Sequence, residues 1–249
     1  MSRAAPLIMV LAVLSAAPAT AQDSPLIIEV ESGPAWQSYN DVEVPNDGTA
    51  TRFSLRNLVG SGPWPAGRLY ITWNPWERHG FRLMVAPFSL RETEVPDQEL
   101  TFAGVPFQPE VETEASYTFN SYRLSYRHLL VDRGTLRAWV GATAKVRQAE
   151  IELIQPNVRG VKDDLGLVPL LHLAGEWRFN RDWRVELDAD ALAGGPGRAV
   201  DAALRAGYDL SDRWTLRAGY RMVEGGADVT EVYAFAWLHY AAISISWHR

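Results

Sequence analysis

Three side chains in the second half of the sequence have the chemical types that proton transfer requires. Asp188 and Asp190 are separated by one residue, so in an extended segment both carboxylates project from the same face. Two close carboxylates can divide the roles of general acid and general base, and His172 offers a further proton-transfer group. Asp188, Asp190 and His172 are therefore the candidate catalytic residues of a hydrolase.

A second interpretation of the same residues is structural. Asp201 lies in the following segment, and arginines occur at matching positions in the neighbouring segments. An arginine beside each carboxylate would keep it ionised and remove it from acid–base chemistry. We therefore favour an ion-pair network inside the molecule over a catalytic site. Its predicted members are Arg178, Glu186, Asp188, Asp190, Asp201, Arg205, Arg217 and Arg221.

Polar and apolar residues alternate along the segments that carry these side chains. Charged residues occupy every second position from 183 to 191, and residues 200–210 repeat the alternation, a pattern typical of strands with two different faces. The alternation slips near Asn120 and Gln148, which predicts bulges there or strand ends outside a bilayer. The predicted strands cover residues 26–38, 66–76, 79–92, 113–130, 135–154, 165–180, 183–193, 199–210, 213–223 and 230–248.

The connections between these segments are of two kinds. Tight polar turns are predicted at residues 75–78, 131–134, 181–182 and 211–212, whereas the alternate connections include long ones at 39–65 and 93–112 and a medium one at 155–164. Bacterial outer-membrane barrels have this asymmetry, with short turns facing the periplasm and longer loops outside. We therefore predict an all-β fold: a single antiparallel up-and-down transmembrane β-barrel of about ten strands, with eight or twelve as alternative counts.

A β-sandwich or a lipocalin-like barrel would give the same alternation, so the position of tryptophan is used to discriminate. Six of the ten tryptophans lie within a few residues of a tight turn or of the C-terminus. Indole rings favour the interface between membrane and water, whereas a soluble barrel has no reason to collect them at one end. The predicted aromatic girdle consists of Trp73, Trp76, Trp177, Trp183, Trp214 and Trp247.

The first 21 residues have the pattern of a secretory signal peptide. A basic residue, Arg3, precedes an apolar core at residues 7–17, and the small residues Ala19 and Ala21 form a cleavage site. The core is shorter than the roughly 20 residues of a helical membrane span. The predicted organisation is therefore a cleavable signal peptide, residues 1–21, and a barrel domain, residues 22–249, exported to the outer membrane of a Gram-negative bacterium.

Composition limits the expected partners and cofactors. The chain has no cysteine, so disulfides cannot stabilise it, and its net charge of −6 gives no reason to expect a nucleic-acid partner. The sequence contains no metal-ligand cluster, phosphate-binding loop or nucleophile elbow, and no metal or cofactor is predicted. The expected partners are outer-membrane lipid, lipopolysaccharide and the barrel assembly machinery, while the oligomeric state is left open.

Several short runs resemble those of a group of uncharacterised outer-membrane β-barrel proteins of proteobacteria. The resemblance covers nearly all of the chain after residue 21 and implies the fold and the compartment, but no reaction. The runs that carry it lie at residues 119–123 (FNSYR), 169–173 (PLLHL), 198–204 (RAVDAAL), 219–221 (GYR), 224–228 (EGGAD) and 235–240 (FAWLHY).

The predicted function is a structural or surface-interaction role for a barrel with a charge-filled lumen. An omptin-like protease is the sharper enzymatic alternative, since that family uses an Asp pair facing an Asp-His pair, but no Asp-x-His sequence occurs here. Resemblance to a lipid A deacylase would require a His-x-Ser sequence, and none of the five histidines begins one. A narrow solute channel is the third possibility, disfavoured because inward charges of both signs would fill a barrel of this size.

Overall fold

Ten long antiparallel strands close on themselves in the computed structural model, which describes residues 24–195 and 197–249. The last strand pairs with the first and so completes the barrel. The predicted all-β fold, the single barrel and the count of ten wall strands are therefore confirmed. The predicted signal peptide, residues 1–21, lies outside the described residues.

The elements are numbered in chain order. They are β1 (Leu26–Glu43), β2 (Phe53–Ser54), α1 (Arg56–Val59), β3 (Trp64–Trp76), β4 (His79–Ala86), β5 (Ser89–Glu94), β6 (Leu100–Phe102), β7 (Val105–Phe107), β8 (Thr113–Arg133), β9 (Leu136–Gln155), β10 (Val158–Arg178), β11 (Trp183–Gly194), β12 (Gly197–Ser211), β13 (Trp214–Val229) and β14 (Val232–His248).

Around the barrel the wall runs β1, β3, β4 with β5, β8, and then β9 to β14. β4 and β5 pair one after the other with β8 and together form one wall strand, interrupted at residues 87–88. The short elements β2, α1, β6 and β7 belong to two connections. Within residues 24–195 and 197–249, no helix has the length and the apolar character that crossing a membrane would require.

Over most of its height the wall carries polar residues inside and apolar residues outside. In β8, Ser121, Arg123 and Ser125 are buried in the lumen, while Tyr122 and Leu124 between them are exposed, Leu124 to 50 %. Successive side chains of a strand point to opposite faces, so the alternation in sequence becomes an alternation between lumen and exterior. A soluble barrel buries its apolar face instead, so the lipocalin-like alternative does not fit this wall.

The polarity of the two faces reverses toward one end of the longest strands. In β9, Lys145 is buried and Val146 is exposed, whereas farther along the strand Ile151 is buried and Glu150 is exposed. The inward face therefore changes from polar to apolar, and the outward face from apolar to polar. We call this position the polarity switch.

Of the two explanations predicted for the slip near Asn120 and Gln148, bulges or strand ends outside a bilayer, the bulges are not present. These two residues pair directly in a continuous register between β8 and β9, and the irregularity of this strand pair lies at residues 129–131. The slip in the sequence pattern is the polarity switch itself, since a change of environment along an uninterrupted strand changes which phase is polar.

All four connections at one end of the barrel are short, and we call this end the turn end. There the strands are joined at residues 77–78, 134–135, 179–182 and 212–213. At the opposite, outer end the long connections are residues 44–63 and 95–112. The predicted medium connection at 155–164 is only residues 156–157, because the charged residues that follow continue to pair with β9.

The two long connections fold into the outer mouth and form an apolar cap. Leu55 and Leu58, around α1, belong to the same buried cluster as Phe102 and Phe107 of the β6–β7 hairpin. The two phenylalanines lie against β10, where a Cβ added at Gly160 would come within 3.1 and 3.2 Å of their rings. A glycine at this inward position therefore makes room for the cap.

The wall is incomplete beside β10. β10 pairs with β11 only over residues 171–178, and its outer part, residues 158–170, pairs with β9 alone. β11 has 12 residues and β12 has 15, against 21 for β10, so the β11–β12 hairpin ends well below its neighbour. We call the resulting opening the lateral gap.

Candidate functional site

The middle of the lumen is closed by ion pairs between opposite walls. Asp201 of β12 accepts hydrogen bonds from Arg68 of β3 at 2.8 Å, Arg123 of β8 at 2.6 Å and Arg221 of β13 at 2.5 Å. β3 and β8 each lie four strands from β12 around the ring of ten, so two of these contacts cross the lumen. All four side chains are between 2 and 8 % exposed.

Two further carboxylates complete this group. Glu31 of β1 accepts a hydrogen bond from Arg221 Nε at 2.9 Å, and Asp190 of β11 accepts one from Arg123 at 2.9 Å. The group therefore contains equal numbers of guanidinium and carboxylate groups, and each buried charge has an opposite partner. We call it the central cluster: Glu31, Arg68, Arg123, Asp190, Asp201 and Arg221.

A second set of ion pairs fills the turn end of the lumen. Glu186 lies 2.6 Å from Arg184 and 2.7 Å from Arg217, and Arg205 reaches Glu29 on β1 at 2.6 Å. These partners come from four different strands, so the interior braces the wall in several directions. The polar inward face that alternation predicts is thus a connected set of contacts.

The predicted network and the observed contacts differ in their membership. All eight predicted residues face the lumen. Arg178, for example, donates a hydrogen bond to Asp209 at 2.7 Å. The sequence prediction left out Glu176, Arg184 and Asp209, which lie on β10, β11 and β12. It also left out partners from the first four wall strands. They are Glu29, Glu31, Arg68, Arg82 and Arg123. Alternation places these residues on the polar face, but nothing in the sequence says which strands face each other across a lumen.

The candidate catalytic residues lie in the wall of the lumen. His172 Nδ1 is 2.8 Å from Asp190 Oδ1, which also accepts a hydrogen bond from Thr143 at 2.8 Å. Asp188 is held by Arg82 at 2.5 Å. His172 is 1 % exposed, and its Nε2 has no hydrogen-bond partner among residues 24–195 and 197–249. The structure thus brings His172 and Asp190 together, but it seals the histidine from solvent and pairs each carboxylate with an arginine.

The six predicted girdle tryptophans all lie toward the turn end. Trp214 pairs directly with Trp247, and Trp73 pairs with Leu26 at the start of the neighbouring β1. Five of the six are between 40 and 62 % exposed, and Trp247 is partly buried. Five of these tryptophans lie on the outward phase of their strands, whereas Trp76 lines the cavity at the turn end.

Two cavities lie on opposite sides of the central cluster. The larger, of about 580 Å³, opens at the turn end and is lined mainly by charged residues. The other, of about 430 Å³, lies in the outer half of the lumen beside the lateral gap, and we call it the outer pocket. Asp201, Glu31 and Arg221 line neither cavity, which places the central cluster between them.

The outer pocket differs from the rest of the lumen in its lining. Apolar side chains from several strands contribute most of its surface, among them Phe119, Val168, Leu192 and Leu238. Lys145 on β9 lines the pocket and is the neighbour in strand register of Arg123, a member of the central cluster. The pocket therefore runs from the outer mouth down to the charged middle of the barrel.

The outer connections contain few groups with special chemistry. Asp47 accepts hydrogen bonds from the backbone N–H and the hydroxyl of Thr49, and these bonds hold the pKa of its carboxyl below the usual value. Within the part of the chain that the structure describes, no group of three or more histidine or acidic residues is arranged to hold a metal ion.

Comparison with known proteins identifies the fold and nothing finer. No family model matches the chain, and no curated protein matches its sequence. The structure is similar to that of the outer membrane protease OmpT from Escherichia coli, with a TM-score of 0.55 and 10 % identity over 93 % of this chain and 98 % of that chain. At this identity the likeness shows a shared barrel fold alone.

Two further solved structures have weaker similarity. Neisserial surface protein A, NspA, gives a TM-score of 0.40 with 10 % identity over 91 % of this chain and 98 % of its own. The attachment invasion locus protein Ail of Yersinia pestis gives 0.37 with 9 % identity over 90 % of this chain and 98 % of its own. All three are bacterial proteins with a β-barrel fold.

Proposed function

We propose that this protein is an integral outer-membrane barrel with a lumen closed to solutes and a structural or surface-interaction role. It is exported by a cleavable signal peptide and inserted by the barrel assembly machinery. The observation that carries the proposal is the central cluster, because it joins opposite walls across the lumen inside an apolar exterior.

The exterior supports insertion into a bilayer. Transmembrane barrels present an apolar band of roughly 25 Å bounded by aromatic residues. Here the band lies between the tryptophans of the turn end and the polarity switch, where Asn120, Gln148 and Leu165 are neighbours in register on three strands. Beyond the switch most outward residues of β8 and β9 are polar, including Glu114, Ser116 and Glu150, as water outside the membrane requires.

The interior supports closure. Buried charges are tolerated where each is paired and hydrogen-bonded, and Asp201 with its three arginines satisfies this condition. The two cavities end on either side of the cluster, so neither forms a path through the barrel. A narrow channel would need these ion pairs to separate.

The hydrolase alternative receives less support. A catalytic dyad must be reachable by substrate, and His172 is sealed inside the wall. Asp188 and Asp190 do not share a proton, because Arg82 and Arg123 each neutralise one of them. Their arrangement fits an ion-pair network.

Insertion is tested by heat-modifiable migration of outer-membrane fractions on a gel. We expect the unheated protein to migrate faster than the boiled protein, as a folded barrel does. Recovery of the protein in a soluble periplasmic fraction, with no difference between heated and unheated samples, would overturn the proposal.

Closure is tested by conductance in planar bilayers. Wild-type protein should give no stable conductance steps, whereas Arg123→Ala combined with Asp201→Ala, which removes one charge of each sign from the central cluster, should produce them. The matched control is Arg198→Ala with Glu224→Ala, which removes an ion pair at the outer end (2.8 Å). Steady conductance from the wild-type barrel would contradict closure.

A further inference from the structure

The lateral gap begins at a height where the exterior of the barrel is still apolar. Pairing between β10 and β11 stops at Leu171, yet Leu167 and Leu165 farther along β10 still point outward and are 72 and 74 % exposed. The eight paired residues fall short of the roughly nine to eleven that a tilted strand needs to cross a bilayer. The gap therefore opens toward the outer half of the lipid layer.

An unpaired strand edge at this depth needs an explanation. In hydrocarbon an unsatisfied backbone N–H or C=O costs several kcal/mol, and irregular edges are tolerated only where they are covered or line a cavity. Here the outer pocket lies directly behind the edge, since Val168 of β10 and Leu192 of β11 both line it. The gap thus connects the exterior with the pocket.

The pocket has the size and surface of a small-molecule site. Its volume of about 430 Å³ lies within the range of roughly 300 to 1,000 Å³ that such sites occupy. Phe119, Val223 and Leu238 give its walls an apolar character. A ligand with a hydrocarbon chain would therefore gain free energy by burying that chain here.

The charges that line the pocket are not balanced. Arg147 is paired with Asp164 and Arg198 with Glu224. Neither Lys145 nor Lys162 has a carboxylate within 4.0 Å among the described residues, in contrast with the arginines of the central cluster. The remaining acidic residue of the lining, Glu150, is exposed on the outward phase of β9.

Of the two lysines that line the pocket, Lys145 is the unusual one. It is 4 % exposed, and its ammonium group lies 4.9 Å from the centre of the Phe119 ring. Its neighbour in register, Arg123, has the same charge and is already engaged by Asp190 and Asp201. A buried cation without a counter-ion is costly, so the site is complementary to an anion.

We propose that the outer pocket binds a single-chain amphiphile with an anionic headgroup, taken from the outer leaflet through the lateral gap. The headgroup lies at Lys145 and the chain extends along the apolar wall toward the gap between β10 and β11. This inference rests on the proposed membrane insertion, since the gap faces lipid only in an inserted barrel.

The test uses the full-length mature barrel in lipid nanodiscs and radiolabelled laurate, with empty nanodiscs as background. We expect saturable binding of one laurate per barrel, at least tenfold weaker binding of dodecanol, which has the same chain without charge, and no detectable binding of acetate. Lys145→Met should weaken laurate binding at least tenfold. Arg159→Met is the matched control, because Arg159 pairs with Glu152 (2.5 Å) and does not line the pocket.

A second measurement does not depend on the stability of the lysine variant. The chain has no cysteine, so Val168→Cys introduces a single thiol at the gap and Glu94→Cys a single thiol on exposed β5. Laurate should slow maleimide labelling of the first at least threefold and leave the second unchanged. Equal binding of laurate and dodecanol, or labelling of Val168→Cys unaffected by laurate, would overturn the inference. A wild-type protein without a heat-modifiable shift would instead overturn the proposed membrane insertion.

Discussion

The two halves of the lumen are built by the same strands on different principles. In β9 the inward residues on the turn-end side of the polarity switch include Thr143 and Lys145, while on the outer side they include Ile151 and Leu153. In the inserted barrel that we propose, the half toward the turn end, which we call the lower half, has lipid outside, so apolar side chains face outward and polar ones are buried with their partners. The outer half has water outside, so it follows the rule of soluble proteins and buries its apolar residues under the cap. One strand can therefore obey opposite burial rules at its two ends.

The largest expected loss of stability comes from a substitution that breaks the charge balance of the central cluster. Asp201→Asn removes the carboxylate charge that three buried arginines share, and loss of one partner of a buried pair typically costs roughly 3–5 kcal/mol. The free energy of unfolding, measured by urea titration in vesicles, should fall by about this amount. A loss below about 1 kcal/mol would show that the central cluster does not stabilise the barrel.

The next prediction compares the cost in stability of an outward-facing arginine in the apolar band and at the polarity switch. Leu124→Arg puts a charge on the apolar band and should cost roughly 2–4 kcal/mol, the range for arginine at the midplane of a bilayer. Gln148→Arg places the same side chain at the switch and should cost about 0–1 kcal/mol in the same titration. Equal losses for the two variants would mean that the reversal of polarity does not mark a membrane boundary.

A smaller global effect is expected from the cap of the outer half. Phe102→Ala removes a fully buried ring from the cap but leaves the barrel ladder intact. Local opening of residues 95–112 should become easier without global unfolding. Limited proteolysis of this connection should accelerate severalfold while the urea midpoint moves little. A cooperative loss of the whole barrel would show that the cap and wall fold as one unit.

The smallest effect is expected at an exposed ion pair beyond the switch. Arg91 and Glu114 lie 3.1 Å apart on the outward surface of β5 and β8, with more than a third of each side chain exposed. Exposed pairs contribute about 0–1 kcal/mol, so Arg91→Met should change the free energy of unfolding by no more than this. A loss comparable with that of Asp201→Asn would remove the contrast between buried and exposed pairs.

Local pattern made much of the fold predictable. Alternation located ten strands, and the tight polar turns separated them, because both signals depend on neighbouring residues alone. The connection expected at residues 155–164 was wrong for the same reason. Lys162, Asp163 and Asp164 have the composition of a loop, but they lie beyond the polarity switch, where charged residues on a strand are ordinary.

The candidate site was less predictable, since it depends on distances across the lumen. The sequence identified Asp201 as a member of the network, but its partners Arg68 and Arg123 come from positions 133 and 78 residues away. The outer pocket could not be anticipated, because it arises where the pairing of β10 with β11 stops early. In the sequence, alternation marks Lys145 only as one polar residue of a strand.

The seam between β1 and β14 has a consequence for the order in which the molecule can assemble. Glu29 and Ser244 meet across this seam although 215 residues separate them in the chain. Loop closure over such a span is entropically costly, and folds dominated by distant contacts form slowly. Until the last strand arrives, Arg205, Arg217 and Arg221 lack the glutamates that β1 delivers. Zipping of the seam is therefore expected to be the late, cooperative step of folding, with neutralisation of the interior as part of its driving force.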